Sequence, residues 1–84
     1  MRYWFLKLEV QSGEYATSPC SVHETKGKEE FDAQDYAKNY WDWGEETYND
    51  GVFYFDDGCV ACSVTACKEI TKQEYDVMRR YLYL

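Results

Sequence analysis

Residues 3–10 read YWFLKLEV, and their even-numbered members, Trp4, Leu6, Leu8 and Val10, are all apolar. Alternate side chains of a strand point to opposite faces of a sheet, so this period of two predicts a strand with one core face. Gly13 supplies a hairpin turn, after which the chain returns antiparallel from residue 15 to about residue 22. Because Pro19 has no backbone N–H, we expect this returning strand at the edge of the sheet, or an early end to its hydrogen-bond ladder.

A first helix is indicated after the polar loop 23–30. Apolar side chains recur there with the spacing of one helix face, at Ala33, Tyr36, Ala37, Tyr40 and Trp41. Asp32 is the expected N-cap, and Phe31 and Tyr36 occupy the two positions of a hydrophobic staple. Gly44 is the expected stop. The sequence therefore predicts a helix that begins after Asp32 with its aromatic side packed on the core.

Two further strands and a helix complete the chain. Asn49-Asp50-Gly51 and Asp56-Asp57-Gly58 are turn signals that enclose a short strand at 52–55, with a stub at 47–48. A longer strand at 59–70 has Val60, Cys62, Val64 and Ala66 on its expected core face. Thr71 and Glu74 match a capping box, which predicts a final helix. Its expected inward stripe is Tyr75, Met78, Tyr81 and Leu82.

These elements define the fold class that we expect. The 84 residues are enough for one small core, so residues 1–84 form a single domain. The order strand, strand, helix, strand, strand, helix predicts an α+β fold with an antiparallel sheet of about four strands (ββαββα) and two helices packed on one face. No apolar run has the length of a signal peptide or a membrane span, which favours a soluble cytoplasmic protein.

The charge of the chain is concentrated in one segment. Residues 29–57 carry ten carboxylates and the single base Lys38, a net charge of −9, whereas the rest of the chain is net +2. We call residues 29–57 the acidic segment. Aromatic side chains are interleaved with its carboxylates, at Tyr36, Tyr40, Trp41, Trp43, Tyr48, Phe53, Tyr54 and Phe55. Such a surface is typical of a protein that binds a basic partner.

The preferred hypothesis is therefore a non-enzymatic protein-binding module. The acidic segment would imitate the charge of a nucleic acid and occupy the basic, nucleic-acid-binding surface of a partner protein. Small acidic inhibitors of phages and mobile elements are similar to it in composition only. Direct binding of nucleic acid is disfavoured by the charge, and no membrane or cofactor is expected. The candidate partner-binding residues are Asp42, Trp43, Glu45, Glu46, Tyr48, Asp50, Tyr54, Asp56 and Asp57.

Catalytic and metal-binding chemistry is less well supported. His23 is the only histidine, and no orienting group is evident beside it, so no catalytic residue is assigned. Cys20, His23, Cys59 and Cys62 could supply a Cys₃His zinc set if their two segments met. Cys59 and Cys62, however, are three positions apart in an expected strand and would point to opposite faces. Disulfide pairing is the other alternative, but a reducing compartment disfavours it. Free thiols are the preferred interpretation, with Cys62 and Cys20 packed as small apolar side chains.

Two other interpretations of the surface stay open. In the first, the chain is a structural or assembly accessory protein that forms a homodimer through aromatic faces, with Tyr3 and Phe5 on the outer side of the first strand and Tyr83 and Leu84 at the terminus. In the second, the carboxylates only keep an aromatic-rich domain soluble.

Overall fold

The computed structural model describes residues 1–40, 47–55 and 58–83. It contains six strands and two helices: β1 (Arg2–Ser12), β2 (Tyr15–Thr17), β3 (Cys20–Thr25), α1 (Ala33–Lys38), β4 (Thr47–Asn49), β5 (Val52–Phe55), β6 (Val60–Ile70) and α2 (Lys72–Leu82). The strands form one antiparallel sheet in the order β2-β1-β6-β5-β4, and β3 pairs with β1 on the same side as β2. The α+β class is confirmed. The expected four strands and ββαββα order are not.

Pro19 accounts for one of the additional strands. β2 pairs with β1 from Val10↔Thr17 onward, and β3 pairs with β1 up to Lys7↔Cys20 in the same register. The Pro19 carbonyl accepts a hydrogen bond from the Leu8 N–H at 3.0 Å, but Pro19 has no N–H to return. The two strands are thus one edge strand that the proline interrupts, as its position in the sequence predicts.

Both hairpin turns follow from their glycines. Ser12 and Tyr15 face each other across a two-residue loop in which Gly13 has a φ of +61°. Asn49 and Val52 enclose Asp50-Gly51, where φ is +52° and +83°. Positive φ at both central residues defines a type I′ turn, which asparagine, aspartate and glycine adopt most readily. The second turn connects β4 to β5. β4 is the stub expected at 47–48, and it forms an edge strand of the sheet.

The main core lies on the face of β1 that carries Leu6, Leu8 and Val10. These side chains pack with Phe53 and Phe55 of β5, Val60 and Cys62 of β6 and Ala37 of α1, while Phe31, Ala33, Tyr36 and Val64 pack against that group. We call this side of the sheet the core face. α1 covers it, and the buried Ala37 shows which side of the helix is turned inward.

A β-bulge places α2 on the opposite side of the sheet. The register between β1 and β6 shifts by one residue between Lys7 and Leu8, so that Leu8 pairs with Val64 whereas Lys7 pairs with Ala66. One extra residue in β6 turns the later side chains of that strand to the opposite face of the sheet. Ile70 therefore lies beside Tyr3 on what we call the back face. The structure does not support the expectation that both helices pack on one face, because Tyr75 of α2 packs on Tyr3 of the back face and the order of elements alone takes no account of the bulge.

The two helices begin as their capping residues predict. The Asp32 carboxylate accepts from the Asp35 N–H at 3.0 Å. Thr71 and Glu74 form a complete capping box, with Glu74 N–H donating to Thr71 Oγ1 at 3.1 Å and Thr71 N–H to Glu74 Oε1 at 2.9 Å. Neither of the two described helices is both long and apolar enough to cross a membrane.

The helix ends depart from expectation. α1 stops at Lys38, where Asn39 leaves the helical conformation (φ −99°, ψ 8°) and its side-chain amide donates to the Asp35 carbonyl at 2.8 Å. Gly44, the expected stop, lies outside the described residues. Tyr40 is consequently exposed and not part of the core. In α2, Tyr75 is buried and Met78 half-buried, but Tyr81 and Leu82 of the expected inward stripe are exposed.

Candidate protein-binding surface

The beginning of the acidic segment is fastened to the sheet by a polar network. Arg2 donates through Nη1 to the Lys28 carbonyl at 2.9 Å, while its other nitrogens bind the Glu69 carboxylate at 2.8 and 3.0 Å. Thr25 Oγ1 donates to the Glu29 carbonyl at 2.6 Å and accepts from Trp4 Nε1 at 2.9 Å. The segment thus leaves β3 in a fixed direction, across the core face.

An aromatic cluster then directs α1. Phe31 stacks on the His23 imidazole with ring centroids 4.3 Å apart and an interplanar angle of 8°, and Tyr36 meets the same ring edge-on at 4.7 Å. Phe31 and Tyr36 are 5.8 Å apart, which confirms the expected staple. Burial lowers the pKa of His23, whose Nε2 lies 2.7 Å from Ser21 Oγ. The only histidine is therefore packed beneath α1 as a structural ring.

The carboxylates of this first part are turned to solvent. Glu29, Glu30, Asp32 and Asp35 are all exposed. Asp32 combines two roles, because its side chain caps α1 while it contributes to the surface charge. The two ion pairs with defined geometry in the described residues, Arg2 with Glu69 and Lys72 with Asp76, leave these four carboxylates out. They form an acidic patch beside β3 at one edge of the sheet.

The other described end of the acidic segment lies at the opposite edge. β4 is the edge strand there, and Asp50 is exposed in its turn. Tyr48 of β4 faces Phe53 across the strand pair, with ring centroids 4.7 Å apart, and stays 59% exposed. Phe53 is buried in the core, so it supports the Tyr48 ring from below. Tyr48 is thus an accessible aromatic side chain on the core face.

Tyr54 points the other way. It pairs with Thr47 and therefore lies on the back face, whereas Tyr48 lies on the core face. There it lines a shallow depression of about 270 Å³ with Glu9, Gln11, Val52, Ala61 and Ser63. The structure thus separates two of the expected partner-binding aromatics. The remaining candidates, Asp42, Trp43, Glu45, Glu46, Asp56 and Asp57, lie outside the described residues.

The proposed zinc set is not brought together. Cys20 pairs with Lys7 near the middle of β1, while Cys59 adjoins Val60, which pairs with Ser12 at the far end. Five residues along a strand separate these positions by about 17 Å. His23 and Cys20, three positions apart in β3, point to opposite faces. In the part of the chain that the structure describes, no three His, Cys, Asp or Glu side chains are grouped to hold a metal ion.

The thiols have distinct environments. All four cysteines are free; Cys59 and Cys67 are exposed, Cys20 is half-buried, and Cys62 is completely buried in the core. Burial raises the pKa of Cys62 to about 11, and partial desolvation of the Cys67 thiol raises its pKa as well. A thiol whose pKa lies so high is a poor nucleophile near neutral pH, so Cys62 is a packing residue, as the sequence predicts.

The structure gives intramolecular contacts to two of the aromatics expected to mediate self-association, Tyr3 and Tyr83, while Leu84 lies outside the described residues. The Tyr3 ring packs on Tyr75 of α2, with centroids 4.8 Å apart. The Tyr83 hydroxyl accepts a hydrogen bond from the Val22 N–H at 3.0 Å. Sequence reasoning missed that α2 turns other side chains outward instead, namely Val77 and Tyr81. The missing information was the facing of α2, which depends on the bulge in β6.

Comparison with known proteins gives no relative for this chain. No protein family, no curated protein and no solved structure matches it.

Proposed function

We propose that this protein is a non-enzymatic binding module whose acidic segment docks on the basic, nucleic-acid-binding surface of a partner protein. The segment acts as a mimic of nucleic-acid charge, in the manner of small inhibitors from phages or mobile elements. The module binds no nucleic acid itself and uses no cofactor. We place it in the cytoplasm, where reducing conditions keep thiols free, and its four free cysteines agree with that location.

The observation that carries the proposal is the path of the acidic segment. It begins beside β3, where Phe31 stacks on His23, and reaches β4 at the opposite edge. Five strands in a row, β3-β1-β6-β5-β4, span about 19 Å at the usual strand spacing. Duplex DNA presents about eleven phosphate charges over that length. The ten carboxylates of the segment are therefore comparable in number to the phosphates that they would replace.

Exposed aromatic rings supply the contacts that charge alone does not. Rim charges mainly accelerate and orient an encounter, whereas desolvated tyrosines and tryptophans contribute most of the affinity. Tyr48, held from below by Phe53, and the exposed Tyr40 are the described side chains suited to this role. Trp43 is the third anchor that the sequence suggests. Tyr54 belongs to the same segment but faces the other side, so we do not assign it to this contact.

The distribution of charge gives the encounter a direction. The segment is net −9 and the rest of the chain net +2, so a basic partner is attracted to one side of the molecule. The five described carboxylates of the segment, Glu29, Glu30, Asp32, Asp35 and Asp50, are all exposed at its two ends. Electrostatic attraction of this kind weakens with salt, because the Debye length shrinks to roughly 6 Å at about 0.3 M.

A matched pair of charge-reversed variants tests the proposal. The first carries Glu29→Lys, Glu30→Lys and Asp35→Lys, all within the acidic segment. The control carries Glu9→Lys, Glu14→Lys and Glu24→Lys, which are exposed carboxylates outside it. Both variants have the same net charge. Circular dichroism establishes that both are folded, and a third variant with Asp42→Lys, Glu45→Lys and Glu46→Lys extends the test to the middle of the segment.

The readout is capture of proteins from a lysate followed by elution with duplex DNA. We expect wild type and the control to retain basic proteins that DNA displaces, and the segment variants to lose them. Equal capture by all variants would contradict the proposal. So would captured proteins that duplex DNA does not elute, because a mimic must compete with the polymer that it imitates.

A further inference from the structure

Two apolar side chains of α2 face solvent among polar neighbours. Val77 is 48% exposed and Tyr81 is 67% exposed, and Met78 beside them is half-buried. Val77 follows the buried Tyr75 by two positions, about 200° around the helix axis, so it points away from the sheet. Glu74, Val77, Met78 and Tyr81 follow the spacing i, i+3, i+4, i+7 and form one stripe. We call these four residues the α2 stripe.

From this stripe we infer that the protein forms a homodimer through antiparallel packing of two α2 helices around a twofold axis. The axis would pass between Val77 and Met78, the centre of the stripe. Each Val77 then faces Met78 of the second copy, and each Glu74 faces Tyr81 of the second copy. In a twofold interface both copies use the same surface, so that surface must be complementary to itself. The shape and the charge of α2 both meet that condition.

Shape complementarity comes from a depression on α2. Gln73, Glu74, Val77 and Met78 line a shallow hollow of about 260 Å³ on the surface of the helix. Helical side chains lean toward the N-terminus, so a residue covers the surface about one position before its own Cα. In the antiparallel arrangement this direction brings the Tyr81 ring of the second copy over the hollow. Its hydroxyl would reach the Glu74 carboxylate at the rim.

Charge complementarity comes from the order of residues along the helix. Glu74 lies in the first turn of α2, and Arg79 and Arg80 lie in the last turn. Antiparallel packing sets Glu74 of one copy beside Arg80 of the other, whereas parallel packing would set like charges side by side. The described helix of the acidic segment is no obstacle, because α1 packs on the core face whereas α2 packs on Tyr3 of the back face. Outside the acidic segment the chain is net +2.

The size of α2 limits the strength of this dimer. Its eleven residues make a helix about 16 Å long. Such a contact buries less than the roughly 800 Å² per partner of a standard stable interface. We therefore expect a weak dimer that forms as concentration rises. The two acidic segments would remain free on opposite sides, so the inference does not depend on the proposed function.

Sedimentation equilibrium of the full chain, from about 10 μM to about 1 mM, tests this inference at concentrations that bracket a weak dimer. The wild-type mass should rise from 10.0 kDa toward twice that value. Tyr81→Glu, which sets a second carboxylate against Glu74 of the partner copy, should raise the dissociation constant at least tenfold. Arg80→Glu should raise it about threefold or more, as a charge at the rim.

Tyr15→Glu is the matched control. Tyr15 is 79% exposed on β2, and the substitution makes the same chemical change as Tyr81→Glu at a site away from α2. It should leave the dissociation constant within twofold of wild type. A wild-type mass that stays at one chain throughout would overturn the inference. Equal effects of the two tyrosine variants would overturn it as well, because self-association would then use another surface.

Discussion

Tyr83 closes the open edge of the sheet at Val22. The Val22 N–H donates to Tyr83 Oη at 3.0 Å, and the same hydroxyl lies 3.4 Å from the Val22 carbonyl. Val22 belongs to the edge strand β3, whose outward backbone groups would otherwise be available to another chain. One hydroxyl thus satisfies both groups of one residue. The residue that follows α2 thereby connects the helix to a strand 61 positions earlier.

Removal of that hydroxyl should loosen the edge. We expect Tyr83→Phe to lower the free energy of unfolding by about 0.5–1.5 kcal/mol, the net value of a typical hydrogen bond. The Val22 amide should also exchange faster with solvent. Hydrogen exchange followed by NMR measures this, with Tyr81→Phe as the control, since Tyr81 is exposed on the outer side of α2. Unchanged protection of Val22 would show that the hydroxyl does not hold the edge.

The capping box of α2 offers a second test. Thr71→Ala removes the side-chain oxygen that accepts from the Glu74 N–H, and we expect a loss of about 1 kcal/mol in the free energy of unfolding. Thr71→Ser keeps an oxygen at that position and should cost much less. Urea denaturation of the three proteins gives both differences. If Ser and Ala were equally destabilising, the loss would have to come from the threonine methyl group and not from the cap.

His23 should make stability depend on pH. Burial lowers its pKa in the folded protein below the ordinary value of 6.5, so the unfolded chain binds the proton more readily. The stability that the neutral ring contributes is complete above about pH 6.5 and is lost as pH falls through that value toward the lowered folded pKa. Urea midpoints between about pH 8 and pH 5 should decline more steeply for wild type than for His23→Gln. Parallel curves would contradict this account.

Three of the four thiols should react in a defined order. With a thiol-specific reagent near neutral pH, exposed Cys59 should react before Cys67, whose pKa is raised, and Cys62 should react only on unfolding. Replacement of Cys59 by Ser should remove the fastest phase, and replacement of Cys67 a slower one. Mass spectrometry of the labelled protein assigns each phase. Early labelling of Cys62 would mean that the core opens far more easily than its packing indicates.

Local signals made much of the fold predictable. The caps at Asp32 and Thr71 and the Asp50-Gly51 turn depend on residues within about four positions, so a single sequence contains the whole signal. The side of the sheet that α2 occupies was not predictable in this way. It depends on the bulge between β1 and β6, where Leu8 pairs with Val64 but Lys7 pairs with Ala66. These paired residues are more than fifty positions apart in the sequence. Nothing in β6 itself marks the extra residue.

The candidate protein-binding surface was likewise predictable only in part. The excess of carboxylates at 29–57 is a property of composition, and the exposure of Tyr48 follows from its position in a short edge strand. Tyr48 and Tyr54 lie on opposite faces of the sheet, and predicting this would have required the register between β4 and β5. The exposure of Tyr81 required the facing of α2. Both depend on pairing or packing between elements, which side-chain spacing within one element does not specify.

The central claim is that the acidic segment forms a separate docking surface, and NMR titration of the ¹⁵N-labelled protein with a nine-residue arginine peptide tests it most directly. We expect chemical-shift changes that concentrate in residues 29–57, include Tyr48 and Asp50, and disappear at about 0.3 M salt as the Debye length shrinks. Glu9, Glu14 and Glu24, which are also exposed, should change little. Changes spread evenly over both groups of carboxylates would contradict the claim and leave the acidic segment as a solubilising surface.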